Sequence, residues 1–551
     1  MLIKKEFLIR SILAALLLNL IIATSGSAIK MLPEQAQQTD IDDFILSTYL
    51  GGNREDYVRN LVTDSQGNAI VTGYTLSTNF PVLNSYQDTF AGGSDDLHGV
   101  GGDAIVAKFD REWELLWSTY LGGSSMDGGL FVRTDAADNV IVLGLTNSSD
   151  FPTTADAFQQ DHGGDYDLFI AKFASNGSLM YSSYLGTAGN EGIGGFEIAS
   201  SGNLIISGST SSADFPVTVN ADQSSYGGET DGFVIQLSAN CSSLLYSTFL
   251  GGNRPDGVGA MAIDAHDNIA VTGFTISSDF PLTENAYQDT IHGTQAERDL
   301  FVVKYTASGQ LAYATSFGGS DMDGSFGITI DSSGDFIFSG RTWSSDFPTA
   351  NAYQESYSGV EVDGFVSKLS ANGQDLIFSS YFGGSGWDTI HHVAVDSASN
   401  IIASGIAGPD GVPSIDAFQE DHHGAVEVVA LMISPEGQPL FSSFLGGTGV
   451  DHPWNQYLSN EHFYIVGTTT SSDFPVTSTA YQITNRGNQD GFIFRFDLTA
   501  YLASQTSDTS HTSENGINSI LSSNSEEVSI SLFSLAFSIG ILIFRRRTVR
   551  R

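Results

Sequence analysis

Along most of the chain, apolar and polar positions alternate in runs of about five to eight residues, the period of a strand with two unlike faces. The runs stop at Gly, Asn, Asp or Pro. One stretch shows the order. Ala260-Met-Ala-Ile alternates into a turn, Asp264-Ala-His-Asp-Asn268, and Ile269-Ala-Val-Thr-Gly273 alternates out of it. Asp279-Phe280-Pro281 ends this hairpin, and a polar loop carries Ala286-Tyr-Gln288. Asp299-Leu-Phe-Val-Val-Lys-Tyr305 and Leu311-Ala-Tyr-Ala-Thr-Ser-Phe317 then supply two more runs rich in β-branched and aromatic residues. Between the two termini no run of ten or more residues shows a 3.6-residue period, so the body is expected to be all-β.

The same order recurs. Gly-Gly-like turns begin at Gly51, Gly122, Gly186, Gly251, Gly318, Gly383 and Gly446, spaced 63 to 71 residues apart. Four antiparallel strands repeated seven times predict a seven-bladed β-propeller over residues 41–502. Tandem sandwiches need about 100 residues per unit, and β-helix rungs are much shorter than these repeats. The ends predict how the ring closes. Phe44–Leu50 reads as a fourth strand without its first three, and Asp490–Phe496 as a third strand followed by only a remnant of a fourth. One blade is therefore expected to be built from both ends, closed by the N-terminal strand and leaving no open edge.

The carriers of the repeat are Tyr-Leu-Gly-Gly, Ala-x-Asp-x-x-Gly-Asn-x-x-Val-Thr-Gly, Asp-Phe-Pro and Asp-Gly-Phe-Val. Together they resemble the SBBP repeat, a β-propeller repeat of bacterial and archaeal surface proteins, across residues 44 to about 502. The resemblance implies a propeller and a surface location, and it brings no general reaction or ligand. Two units depart from it. The sixth has Asp410-Gly-Val-Pro413 and Glu427-Val-Val-Ala in place of Asp-Phe-Pro and Asp-Gly-Phe-Val, and the seventh has Leu458 where the turn Asp is expected.

The termini address the chain to a membrane. Lys4, Lys5 and Arg10 precede an apolar run from Ser11 to Ala23 and small residues at Gly26-Ser27-Ala28, the three parts of a secretory signal over residues 1–28; an uncleaved N-terminal anchor is the other reading. Residues 503–527 form a Ser/Thr/Asn-rich stalk that buries too little to order itself. Residues 528–544 are apolar and long enough, at about 1.5 Å per helical residue, for one transmembrane helix. The Arg-rich tail, 545–551, is then expected inside under the positive-inside rule, with the body outside at the cell surface. The layout also resembles C-terminal sorting tails, though Ser525-Glu526-Glu527 stands where such tails carry Pro-Glu-Pro.

Composition narrows the partners. The formal net charge is −41, and residues 29–544 alone hold 62 acidic against 14 basic side chains. Nucleic acid is not expected as a partner, because phosphate binding needs clustered Lys and Arg. The lone Cys241 excludes an internal disulfide and a thiolate zinc cage; it reads as a buried small residue or a reactive thiol.

Chemistry is sought first in the acids. Asp56, Asp127, Glu191, Asp256, Asp323, Asp388 and Asp451 each stand five residues beyond the first Gly of their turn. Equivalent repeats would set them in a ring on one face, where they either recruit Ca²⁺ through carboxylate oxygens or cap their own turns. A second set, Asp103, Asp167, Asp231, Asp299, Asp363, Glu427 and Asp490, opens each third strand, and the Asp of Asp-Phe-Pro is expected to organise loops. His98, His162, His292 and His422-His423 fall in the long loops; His391-His392 and His452 fall in the two departing units. No fixed metal spacing joins them, so they read as polar turn residues or as a zinc-type site. Asn147, Asn176 and Asn240 fit the glycan acceptor pattern. No nucleophile elbow, P-loop or dinucleotide fingerprint occurs. The expected function is a binding or adhesion scaffold for a protein or glycan partner. The alternative is an extracellular propeller enzyme, a lyase or hydrolase with its site in the central channel.

Overall fold

The computed structural model describes residues 44–500, apart from 94–100, 293–297, 359–360, 410, 460–461 and 499. The signal segment, the stalk and the apolar segment 528–544 lie outside the described residues, as do His98 and Asp410. Among the described residues no helix is long and apolar enough to cross a membrane.

Twenty-eight strands form seven separate four-stranded antiparallel sheets. Six sheets are consecutive in sequence, and we number these blades 1 to 6 from the unit that begins at Gly51. Blade 7 holds Asp451–Ser459, His462–Thr469 and Asp490–Asp497, with Ile45–Leu50 as its outer strand. The closing register runs from Ile45 opposite Phe496 to Leu50 opposite Gly491. Two further bonds fix the outer strand from the side: Thr48 donates to the Gln482 carbonyl at 3.3 Å, and the Gln482 N–H donates back to Thr48 Oγ1 at 2.8 Å.

The repeat motifs explain the packing. The Phe of each Asp-Phe-Pro is buried between neighbouring blades; Phe151 packs on Phe169 with ring centroids 4.5 Å apart, inside a cluster that also takes Val106 of blade 1. Each such ring contributes about 1.5–3 kcal/mol of burial. The Tyr of Tyr-Leu-Gly-Gly locks the same corner. Tyr184 Oη donates to the Ser148 carbonyl at 2.6 Å and accepts the Phe151 N–H at 3.0 Å. In blades 1, 2, 4, 5 and 6 the turn between the first two strands is an Asx turn, Asp264 Oδ1 accepting the N–H groups of His266 and Asn268 in blade 4, whereas blade 3 has Ala199 there. In blades 1, 2 and 5 the matching Asp also pairs with a third-strand lysine at 2.7–2.8 Å. In blade 7 Leu458 lies within the first strand. That strand extends to Ser459, which sits opposite His462.

Candidate functional site: the axial channel

The first strand of every blade lines the axis, and the seven together enclose a cavity of about 880 Å³, within the roughly 300–1,000 Å³ range of ligand pockets. The strands reach it in an unusual way. Each carries a β-bulge at the same place, one residue that has no partner on the second strand. A bulge re-aims a side chain, and here it re-aims seven around one axis.

Opposite every bulge stands the Gly of Val-Thr-Gly. A Cβ built on Gly273 would lie 1.9 Å from the Gly257 carbonyl oxygen, and on Gly73 1.8 Å from that of Tyr57. The bulge draws the two backbones together until only glycine fits between them. The recurring glycine thus belongs to the bulge that shapes the channel wall.

The bulged residues are Leu130, Gly194 and Gly259 in blades 2 to 4, and Phe326, His391, Trp454 and Arg59 in blades 5, 6, 7 and 1. One side of the ring is therefore small and open. The other is large, aromatic and cationic. Contacts along the crowded side are continuous. The Phe326 and His391 rings meet edge-on at 5.7 Å, and His391 lies 5.0 Å from His452. His452 tilts over Trp454 at 4.3 Å, and the Arg59 guanidinium caps Trp454 at 3.9 Å. Trp454 Nε1 donates to Thr468 Oγ1 at 3.2 Å, fixing the indole. At the mouth, Arg341 lies about 5 Å from the rings of Phe326, Trp343 and Trp387.

Burial governs the electrostatics. It holds His391 well below the ordinary imidazole range, helped by the neighbouring His452 and His392. It lowers His392 to about 4, against a hydrogen bond to the Trp454 backbone, and lowers His452 to about 4 with help from Arg59. All three imidazoles are thus neutral at pH 7. Burial also pulls Arg59 and Arg341 down from the usual arginine range. Across the channel, Arg133 is neutralised by Glu197 at 2.7 Å. Arg59 and Arg341 make no ion pair with a carboxylate among the described residues.

The sequence-predicted residues fall elsewhere. The seven ring acids do stand at the starts of the innermost strands, but they are buried and none lines the channel. Each carboxylate is turned into its own Gly-Gly turn: Asp256 accepts the Gly252 N–H at 2.7 Å and the Ser277 hydroxyl at 2.8 Å. Desolvation raises Asp56, Asp127 and Asp323 to about 7 and Asp256 to about 6. The third-strand acids gather their long loops in the same way. Asp231 accepts the Gly227 N–H at 2.8 Å, and Glu427 accepts the His423 N–H at 2.6 Å. His423 is thereby a loop residue, as expected. His391, His392 and His452 are not turn residues: they lie within innermost strands, on the channel wall. Among the described residues no group of three or more His, Cys, Asp or Glu side chains is arranged to hold a metal ion. Asn176 and Asn240 are exposed and Asn147 is half-buried. Cys241 is buried, and desolvation pushes its thiol up to about 11.

Sequence reasoning passed over Arg59, Phe326, Arg341 and Trp454. For three of them the signal was available: each stands three residues after its ring acid and opposite the repeat's glycine.

This architecture, seven four-stranded blades around a lopsided axial cavity, defines the chain as a seven-bladed β-propeller. Within it, residues 47–81 carry the SBBP beta-propeller repeat. No curated protein matches the chain. Among solved structures, a catalytically inactive virginiamycin B lyase from Staphylococcus aureus, determined with quinupristin, is similar in fold at 8% identity and a TM-score of 0.38, over 82% of this chain and 99% of that one. Sqt1 from Chaetomium thermophilum is similar at 9% identity and a TM-score of 0.39, again over 82% and 99% of the two chains.

Proposed function

We propose that this protein is a cell-surface binding propeller that takes an anionic, ring-bearing ligand into its axial channel. The reading is carried by one observation: two arginines without carboxylate partners among the described residues, Arg59 in the bulge ring and Arg341 at the mouth beside Phe326, flank the crowded arc in a chain of net charge −41. Cations spared from pairing in so acidic a body are available to a carboxylate, sulfate or phosphate. Trp454 and the neutral imidazoles offer flat faces and hydrogen bonds to the ring that carries it. The open arc at Leu130, Gly194 and Gly259 leaves the ligand room. The secretory signal and the apolar segment 528–544 support display outside the cell, with the membrane as anchor.

A channel enzyme is the second reading, favoured by three imidazoles held neutral and therefore able to accept a proton. Titrating the full chain with galacturonate and with aryl carboxylates, while following Trp fluorescence and product formation, tests both. Saturable binding that Arg59→Gln abolishes, without turnover, supports the binding propeller. Turnover lost in His452→Gln supports the enzyme. No binding of any anion sinks the channel reading.

A further inference from the structure

The cationic residues of the channel do not stand alone. They continue over the mouth as a band in which guanidinium and aromatic groups alternate. On blade 4, Arg298 rests on Phe274, its guanidinium carbon 4.3 Å from the ring centroid. Next comes Arg341, among Phe326, Trp343 and Trp387. Trp343 and Trp387 meet edge to face at 5.8 Å, and Trp387 is 42% exposed. The band then enters the channel through His391 and His452 and ends at Trp454 and Arg59. Arg298, Arg341 and Arg59 each lie on an aromatic ring, and none makes an ion pair with a carboxylate among the described residues.

A small ligand would need only the last part of this arrangement. The alternation fits a chain with the same period of chemistry: a flat-faced ring, an anionic group, another ring. Resting on the channel reading above, we infer that the ligand is an acidic polysaccharide, a uronate-bearing glycan held across the mouth with one end in the channel. Pyranose rings carry C–H faces that lie on Trp343 and Trp387, and their carboxylates pair with the arginines beside them. An acidic peptide offers the same charges without the ring faces, so the exposed tryptophans favour the glycan. The rest of the protein supports a confined site, because an acidic body repels a polyanion everywhere outside the band.

The test uses the full chain and three probes: monomeric galacturonate, a short oligogalacturonate, and a polyglutamate of similar length. The oligomer binds more tightly than the monomer, and more tightly than polyglutamate. Trp387→Ala weakens the oligomer by about tenfold, the loss of one stacking contact, and leaves the monomer unchanged, whereas Arg341→Gln, which removes a channel cation, weakens both. Trp387→Ala alters an exposed side chain, so it serves if Arg341→Gln fails to fold. An oligomer that binds no better than the monomer, or is untouched by Trp387→Ala, overturns the polysaccharide while leaving the channel reading in place. Polyglutamate binding as tightly as the oligomer overturns it in favour of a peptide. Loss of monomer binding alone would instead fault the channel.

Discussion

Single side chains in this molecule carry two kinds of work, and substitutions separate them. The turn acids are structural. Asp256→Ala strands the Gly252 N–H and removes one partner of Ser277, a loss of about 1–3 kcal/mol. The cost depends on pH. The folded value of about 6 lies above the ordinary 3.8, so the native fold prefers the protonated acid. Below pH 5 the neutral carboxyl contributes its hydrogen bonds at little desolvation cost, and at pH 8 its buried charge offsets part of them. Chemical denaturation at pH 5 and pH 8 is expected to show the larger loss at pH 5. Gly273→Ala tests the bulge. Its new Cβ meets the Gly257 carbonyl at 1.9 Å, backbone that cannot move aside, and the expected cost is about 3 kcal/mol or more. A melt within 1 °C of the parent, about 1 kcal/mol for a body this size, would refute that origin of the glycine.

At the scale of strands and blades, the outer strand Ile45–Leu50 completes blade 7 and buries Tyr49 and Leu50. Deleting it uncovers the edge of Asp490–Asp497. The melting midpoint is expected to fall by roughly 5–10 °C, and amide exchange should rise first in blade 7. The blades and this closure were legible in the sequence because strand alternation, turn residues and a long repeat all point to one answer. The channel was not, for a physical reason. A bulge adds one residue and breaks the two-residue period, so counting alternation from Asp388 or Asp451 misassigns every side chain beyond His391 or Trp454. The acids followed one of the two readings their spacing allowed: each carboxylate caps its own Gly-Gly turn.

For the molecule as a whole, the buried acids and the channel histidines set opposite pH limits. Asp56, Asp103, Asp127 and Asp323 sit near 7 in the fold, above the ordinary 3.8. Their desolvation penalty is therefore full above pH 7 and is relieved as the pH falls toward 4. His392 and His452, at about 4 against 6.5, act the other way: stability is lost as the pH falls from 6.5 through 4. Calorimetry should find the midpoint rising steeply from pH 8 to pH 6.5 and more gently from there to pH 5, where the histidines oppose the more numerous acids. Because the ring acids already accept backbone N–H groups, Ca²⁺ at matched ionic strength should add nothing beyond NaCl; a midpoint several degrees higher in Ca²⁺ alone would show a specific cation site. Ring closure has a further consequence, in time. Thr48 must wait for Gln482, 434 residues later, and joining ends so far apart costs roughly 5 kcal/mol of chain entropy. Blade 7 is therefore expected to close last, and its closure brings His452 and Trp454 to Arg59 of blade 1. A ligand held on that arc, as proposed above, would bridge the seam and act as a latch, slowing the reopening of the ring where the chain's two ends meet.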